Sequence, residues 1–407
     1  MVVGNFIADL GAQATLVALP FQLYIQTRSP FLVGLLGAAE LGPLVTLSLL
    51  GGAIADRFDR RRLLLIDQVG VFGAAAGLAA VAFAGRPAVA TLYVLGALLA
   101  GCNALQNVAQ SAILPNLIDR ERLPRVLAVN YGLFALTMVI GPALGGLLIG
   151  VFGVGSAYAV NAVSCLAVVI AVVPLPPQPT AHHEAGEGIL RSIGQGLAYV
   201  RRTPALIGSF AMDLVAMTFG MPRALFAVLA VSVYHAGAGG TGVLYASVSA
   251  GATVAALLTG WLHHARRLGV IVLCAVLVWG GAIAVAGLMH SLWAAAALLA
   301  VAGAADSVSA VCRSTINQTV TPDRMRGRMS AVFSLVVSGG PRVGDLESGA
   351  VAGAAGVRFS VVSGGVACMI GAGLIALAFP ALIRYDVRDW GAAPGASEEA
   401  QQAVELI

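Results

Sequence analysis

Long apolar runs separated by short polar breaks dominate this chain. The first ends near Gln26, and others cover positions 31–53, 63–83 and 88–114. A fifth and a sixth follow, the last ending near Val173. After a break at 174–203, six more cover 205–234, 240–262, 269–289, 292–311, 330–352 and 359–383. About twenty apolar residues in α-helical form are long enough to cross a bilayer. The pattern predicts an all-α membrane protein of twelve transmembrane helices. Residues 1–173 form one six-helix bundle, 174–203 a linker, 204–384 a second six-helix bundle and 385–407 a tail. Six runs, a linker and six more make an internal duplication of two pseudo-symmetric bundles. Polar loops echo the repeat: Asp119-Arg120-Glu121-Arg122 after the fourth run has a counterpart in Asp323-Arg324-Met325-Arg326-Gly327-Arg328 after the tenth.

Charge orients the pattern. Residues 52–62 hold four arginines and two aspartates, whereas one residue in ten is charged over the whole chain. Carrying those arginines through hydrocarbon would cost several kcal/mol each, so this loop is expected on the cytoplasmic side. Alternation then places eighteen of the 23 arginines on the same side, Arg313 among them, and only Arg28, Arg86 and Arg358 opposite. Both termini and the 385–407 tail become cytoplasmic. In the linker, Ile189, Ile193, Leu197 and Val200 share one helical face, as in a helix lying on the inner membrane surface. No signal peptide is read ahead of the first run, which serves as its own insertion signal. That run lacks a basic lead, which suggests a start further upstream.

Composition narrows the function. The chain is 59% hydrophobic with 50 glycines among 407 residues, more apolar surface than a soluble fold of this size can bury. The net charge of +4 follows membrane topology and does not imply nucleic acid. Five cysteines lie without metal or pair spacing, and neither a Walker loop, a His-Glu-x-x-His pattern nor a serine elbow occurs. No enzyme, metal or cofactor is expected. The partners are a small-molecule substrate, protons and the lipid bilayer, with the monomer as the working unit.

Polar residues inside apolar runs are candidates for function by default, because hydrocarbon penalises them. Asn5, Asp9 and Gln13 line one side of the first helix, and Glu40 lies roughly 24 Å along the helix from the basic loop. Asn103, Gln106, Asn107 and Gln110 make a polar stripe that faces either other helices or a wet cavity. Asp67 and Gln68 read as structural partners of the loop arginines. Asp213 and Asp306 lie in the seventh and tenth runs. Gly339-Gly340-Pro341 precedes Arg342, Asp345 and Glu347; the prolyl residue should loosen that helix and free carbonyls. Arg342 and Asp345, at i and i+3, form either a structural ion pair or part of a transport path. In the fifth run, Gly141 and Gly145, and Pro142 and Gly146, make small faces for close helix approach.

Gly52-Ala-Ile-Ala-Asp56-Arg57-Phe-Asp-Arg60-Arg61-Arg62 resembles the major facilitator signature between the second and third helices, with Asp59 in place of the usual second glycine. Gly141-Pro142-x-x-Gly145-Gly146 is similar to the fifth-helix motif of antiport exporters. The run from Val17 to Tyr24 and the Pro322–Arg328 loop resemble the enterobactin-exporter and macrolide-efflux branch of the drug:proton antiporters. The resemblance implies proton-coupled efflux of an amphipathic drug, macrolide or siderophore by alternating access. In that scheme Gly52, Asp56, Arg57, Arg60 and Arg61 form a cytoplasmic latch. Glu40, Asp213, Asp306, Asp9 and the Asp345/Glu347 pair are the proton carriers, in that order. Asn103, Gln106 and Asn107 stand where many antiporters carry an arginine. A nutrient importer or a transporter-derived receptor or scaffold shares the same features.

Overall fold

The computed structural model describes residues 2–57, 59–117, 123–174, 189–322 and 325–386. Within these it does not describe the side chains of 52–57, 107–108, 111–117, 123–124, 189–193, 261, 263–264, 327–328 and 330–331. The described residues are helical throughout. The first six helices are α1 (Val2–Thr27), α2 (Pro30–Arg57), α3 (Arg60–Phe83), α4 (Val89–Leu117), α5 (Leu123–Phe152) and α6 (Val154–Val172). The amphipathic α7 (Ile189–Arg202) follows, and then α8 (Pro204–Phe219), α9 (Leu225–Ser232), α10 (Gly237–Leu258) and α11 (Leu268–Leu288). The chain ends in α12 (Leu292–Val320), α13 (Arg326–Ala355), α14 (Val357–Ala378) and the short α15 (Pro380–Ile383). Among the described residues, ten helices are long and apolar enough to cross a membrane. α13 is equally long but carries Arg342, Asp345 and Glu347, and α8 with α9 makes the remaining crossing.

The two halves repeat one packing scheme. α2 packs on α4, α1 on α5 and α6, and α3 on α4 and α6. In the second half α10 packs on α12, α8 on α13 and α14, and α11 on α12 and α14, the same scheme shifted by six crossings. The tight turns repeat as well. Gly153 joins α5 to α6 at φ 81° and Gly356 joins α13 to α14 at φ 94°, a region that suits glycine because no Cβ is present.

Four expectations from the sequence are not met. The run at 205–234 is not one helix: α8 stops at Gly220 and α9 begins after Ala224. Pro222 has no N–H to continue the ladder, and the groups this frees find partners elsewhere. Trp279 Nε1 donates to the Gly220 carbonyl at 2.8 Å, and Tyr245 Oη to the Arg223 carbonyl at 2.9 Å. The loosening anticipated at Gly339-Gly340-Pro341 does not occur, and α13 runs unbroken from Arg326 to Ala355. α12 continues nine residues past the apolar run to Val320, which puts Arg313 inside the bundle and not in a basic loop. Asp67 does not meet the loop arginines: its carboxylate is buried, with no hydrogen-bond partner among the described residues.

The halves meet through glycines. A Cβ on Gly349 of α13 would lie 2.5 Å from the Gly34 Cα of α2, and one on Gly146 of α5 would lie 3.1 Å from the Gly242 Cα of α10. Both crossings sit at the arginine-poor end of the bundle, and the internal repeat relates one to the other. At the arginine-rich end, α7 packs on α13, α8 and α2, with Val200 buried and Tyr199 Oη donating to the Val320 carbonyl at 2.9 Å.

Candidate functional site

A cavity of about 100 Å³ lies between the halves. Its wall comes from α1, α2, α4, α6, α10, α13 and the α8–α9 break. Leu16, Leu19, Leu36 and Leu99 make it largely apolar, while Glu40, Asn103, Arg223, Tyr245, Arg342 and Asp345 supply polar groups. The space holds several waters but is far smaller than the roughly 300–1,000 Å³ of a drug-sized pocket.

The charges at this site are organised around Arg342. Its Nη2 lies 2.9 Å from Glu40 Oε2 and its Nη1 lies 3.7 Å from Asp345 Oδ2. Glu40 belongs to α2 and Arg342 to α13, so the shorter contact spans the two halves. Gly37, one turn before Glu40, makes that possible: a Cβ there would come within 2.7 Å of the Arg342 carbonyl oxygen and 2.8 Å of Asp345 Cβ. Asp345 also accepts the Ala224 N–H at 2.9 Å, a donor that the helix break releases. One guanidinium thus faces two carboxylates, and the second contact of Asp345, to the Ala224 N–H, ties the cluster to the broken crossing.

A second cluster lies wholly within the second half. Arg313 Nη2 on α12 is 2.7 Å from Asp213 Oδ1 on α8 and 3.8 Å from Asp306 Oδ1 on its own helix. Its Nη1 donates to Ser309 Oγ at 2.6 Å. Asp213 and Asp306 therefore share one cation, off the cavity wall. The polar stripe of α4 divides: Asn103 faces the cavity, whereas Gln110 Nε2 donates to Asn5 Oδ1 on α1 at 3.4 Å. Gln106, Asp9 and Glu347 are half-buried and line neither site. The Asn107 side chain lies outside the described residues.

Of the basic stretch, Gly52, Asp56 and Arg57 belong to the end of α2, and the side chains of Asp56 and Arg57 are not among those described. Asp59 caps α3, its carboxylate accepting the Arg61 N–H at 2.9 Å, and the Arg61 guanidinium donates to the Val173 carbonyl. Arg60 opens α3. The fifth-helix motif presents two packing faces. Cβ atoms on Gly141 and Gly145 would meet Gln13 and Ala14 of α1 at 2.5 and 2.7 Å. Gly146, with the Pro142 carbonyl one turn earlier, faces Gly242 of α10.

Arg223, Arg313, Tyr245 and Asn161 were not singled out from sequence. Asn161 lines the cavity and donates to Thr15 Oγ1 at 2.9 Å. A signal was present for the two arginines. Arg313 follows Asp306 by seven residues, two helical turns, and Arg223 follows a proline inside an apolar run.

The family described as transmembrane secretion effector matches residues 1–401. The enterobactin exporter EntS of Shigella boydii serotype 4 (strain Sb227) is 31% identical over 326 residues, 78% of this chain and 76% of the exporter. EntS of Citrobacter koseri (strain ATCC BAA-895 / CDC 4225-83 / SGSC4696) shows the same identity and coverage. Among solved structures, a POT family transporter in complex with 5-aminolevulinic acid superposes with TM-score 0.73 at 11% identity, covering 94% of this chain and 96% of that one. A bacterial homologue of the human lysosomal transporter Spinster, inward-facing and unoccupied, gives 0.68 at 16% identity, covering 93% and 97%. At these identities the structural likeness is one of fold.

Proposed function

We propose that this chain, which belongs to the transmembrane secretion effector family of major facilitator transporters, exports an amphipathic small molecule of siderophore or drug type in exchange for protons. That it is a multi-pass membrane transporter and not an enzyme follows from the family and the fold. The direction and the kind of substrate are carried over from its enterobactin-exporter relatives.

One observation supports the coupling: the Glu40–Arg342 pair joins the two halves at the wall of the cavity between them. With the arginine-rich end in the cytoplasm, the glycine crossings close the outer side and substrate enters from within. An ionised Glu40 holds Arg342 and keeps that outer side shut. Once the outer side opens, Glu40 separates from Arg342, takes a proton from outside and no longer forms the pair. On the return, loss of that proton to the cytoplasm lets the pair form again. Two halves that rock about a midplane site are the general plan of such carriers. Asp345 shares Arg342 and assists. Asp213 and Asp306 on Arg313, with Asp9 and Glu347, are secondary proton sites. The loop with Gly52, Asp56, Arg57, Arg60 and Arg61 forms the cytoplasmic latch, both termini face the cytoplasm, and the monomer holds the complete pathway.

Reconstituted vesicles with an imposed pH gradient test the reading. Glu40→Gln should abolish pH-driven export of lipophilic cations, macrolides or siderophores while the protein still reaches the membrane. Export at the wild-type rate by that variant removes Glu40 from the pathway.

A further inference from the structure

The cavity carries one more cation than its ion pairs use. Arg342 and Arg313, the other two guanidiniums embedded among the crossings, each face two carboxylates. Arg223 lines the cavity, yet among the described residues its guanidinium has no ion pair and no hydrogen bond. Its position is well defined all the same. It stands in the non-helical turn between α8 and α9, its N–H donates to the Met221 carbonyl at 2.8 Å and its own carbonyl accepts from Tyr245. The neighbouring Ala224 N–H is held by Asp345. It lines the same wall as Glu40, Tyr245, Arg342 and Asp345, which puts it among the cavity polar groups.

A guanidinium stays protonated at physiological pH and presents its N–H donors as a planar fork that matches two oxygens of one anion. Glu40 and Asp345 on the same wall balance the charge of Arg223 together with that of Arg342, but its guanidinium N–H donors have no hydrogen-bond partner among the described residues, and an occupant with two acceptor oxygens satisfies them. We propose that Arg223 is the anion-binding residue of the substrate site, and that the exported molecule carries an acidic group on an otherwise apolar or aromatic body. The class is an organic carboxylate, a sulfonate or an acidic phenol. Leu16, Leu19, Leu36 and Leu99 receive the body, while the acidic group reaches the fork. An inside-negative membrane potential drives such an anion outward, in the direction of export. This inference rests on the export reading above.

Two fluorescent probes with one ring framework separate the possibilities: 1-anilinonaphthalene-8-sulfonate, an anion, and N-phenyl-1-naphthylamine, which is neutral. The full-length protein in lipid nanodiscs is titrated with each, against empty nanodiscs. Wild type should bind the sulfonate about tenfold or more tighter than the amine, as a charge-assisted hydrogen bond confers. Arg223→Gln should bring that ratio near unity and Arg223→Lys should keep part of it, with the amine affinity unchanged in all three. An Arg223→Gln protein that keeps the wild-type preference, or a wild type that prefers the amine, would falsify the assignment. In vesicles, movement of the amine alone would overturn it and leave export standing. Anion-selective binding without movement of either probe would uphold it and overturn export.

Discussion

At the scale of single residues, the buried ions decide what must be kept together. Arg313, Asp213 and Asp306 are one unit, because taking the cation away leaves a carboxylate with 3% side-chain exposure and no partner charge. Arg313→Leu should therefore destabilise the protein by about 3–5 kcal/mol. Adding Asp213→Asn should recover much of that loss, as read by thermal unfolding in detergent. Additive losses in the double variant would mean the two residues do not act as a pair. Glu40, Asp213, Asp306, Arg342 and Asp345 were legible as candidates because an ionisable residue in an apolar run needs a reason to be there. Which of them meet was not. Asp345 pairs with Arg342 at i and i+3, but Glu40 comes from a helix about 300 residues away in sequence.

At the scale of elements, the helices follow from apolar length, and their exceptions follow from backbone chemistry. Pro222 breaks its crossing whereas Pro341 leaves α13 continuous. The difference lies in partners: Trp279, Tyr245 and Asp345 accept or supply the hydrogen bonds released around Pro222. The glycine crossings are the second determinant. Gly349→Leu would force a side chain against the backbone of Gly34 and should push the arginine-poor ends of α2 and α13 apart. Spin labels on cysteines replacing Arg28 and Ala354 should then report a longer distance than in the parent protein. An unchanged distance would show that this crossing does not hold the outer side closed. The fifth-helix glycines were readable from their spacing; Gly34, Gly242 and Gly349 had no such motif, and their pairing appears only once the halves are docked.

At the scale of the whole molecule, orientation is the premise of the export mechanism. A cysteine replacing Arg61 should stay unreactive to an impermeant maleimide in intact cells, and one replacing Arg86 should react; the reverse labelling would invert the direction of transport. The amino-acid sequence by itself determined the all-α class, the six-plus-six repeat and the family. Each depends on local periodicity, charge placement and contiguous motifs. Only the tertiary structure decided that α2 and α13 share an ion pair, that Arg313 is buried and that Arg223 lines a cavity with no ion pair among the described residues. Contacts between residues far apart in the chain depend on how helices dock, and many sequences with the same apolar pattern could dock with other charges in register.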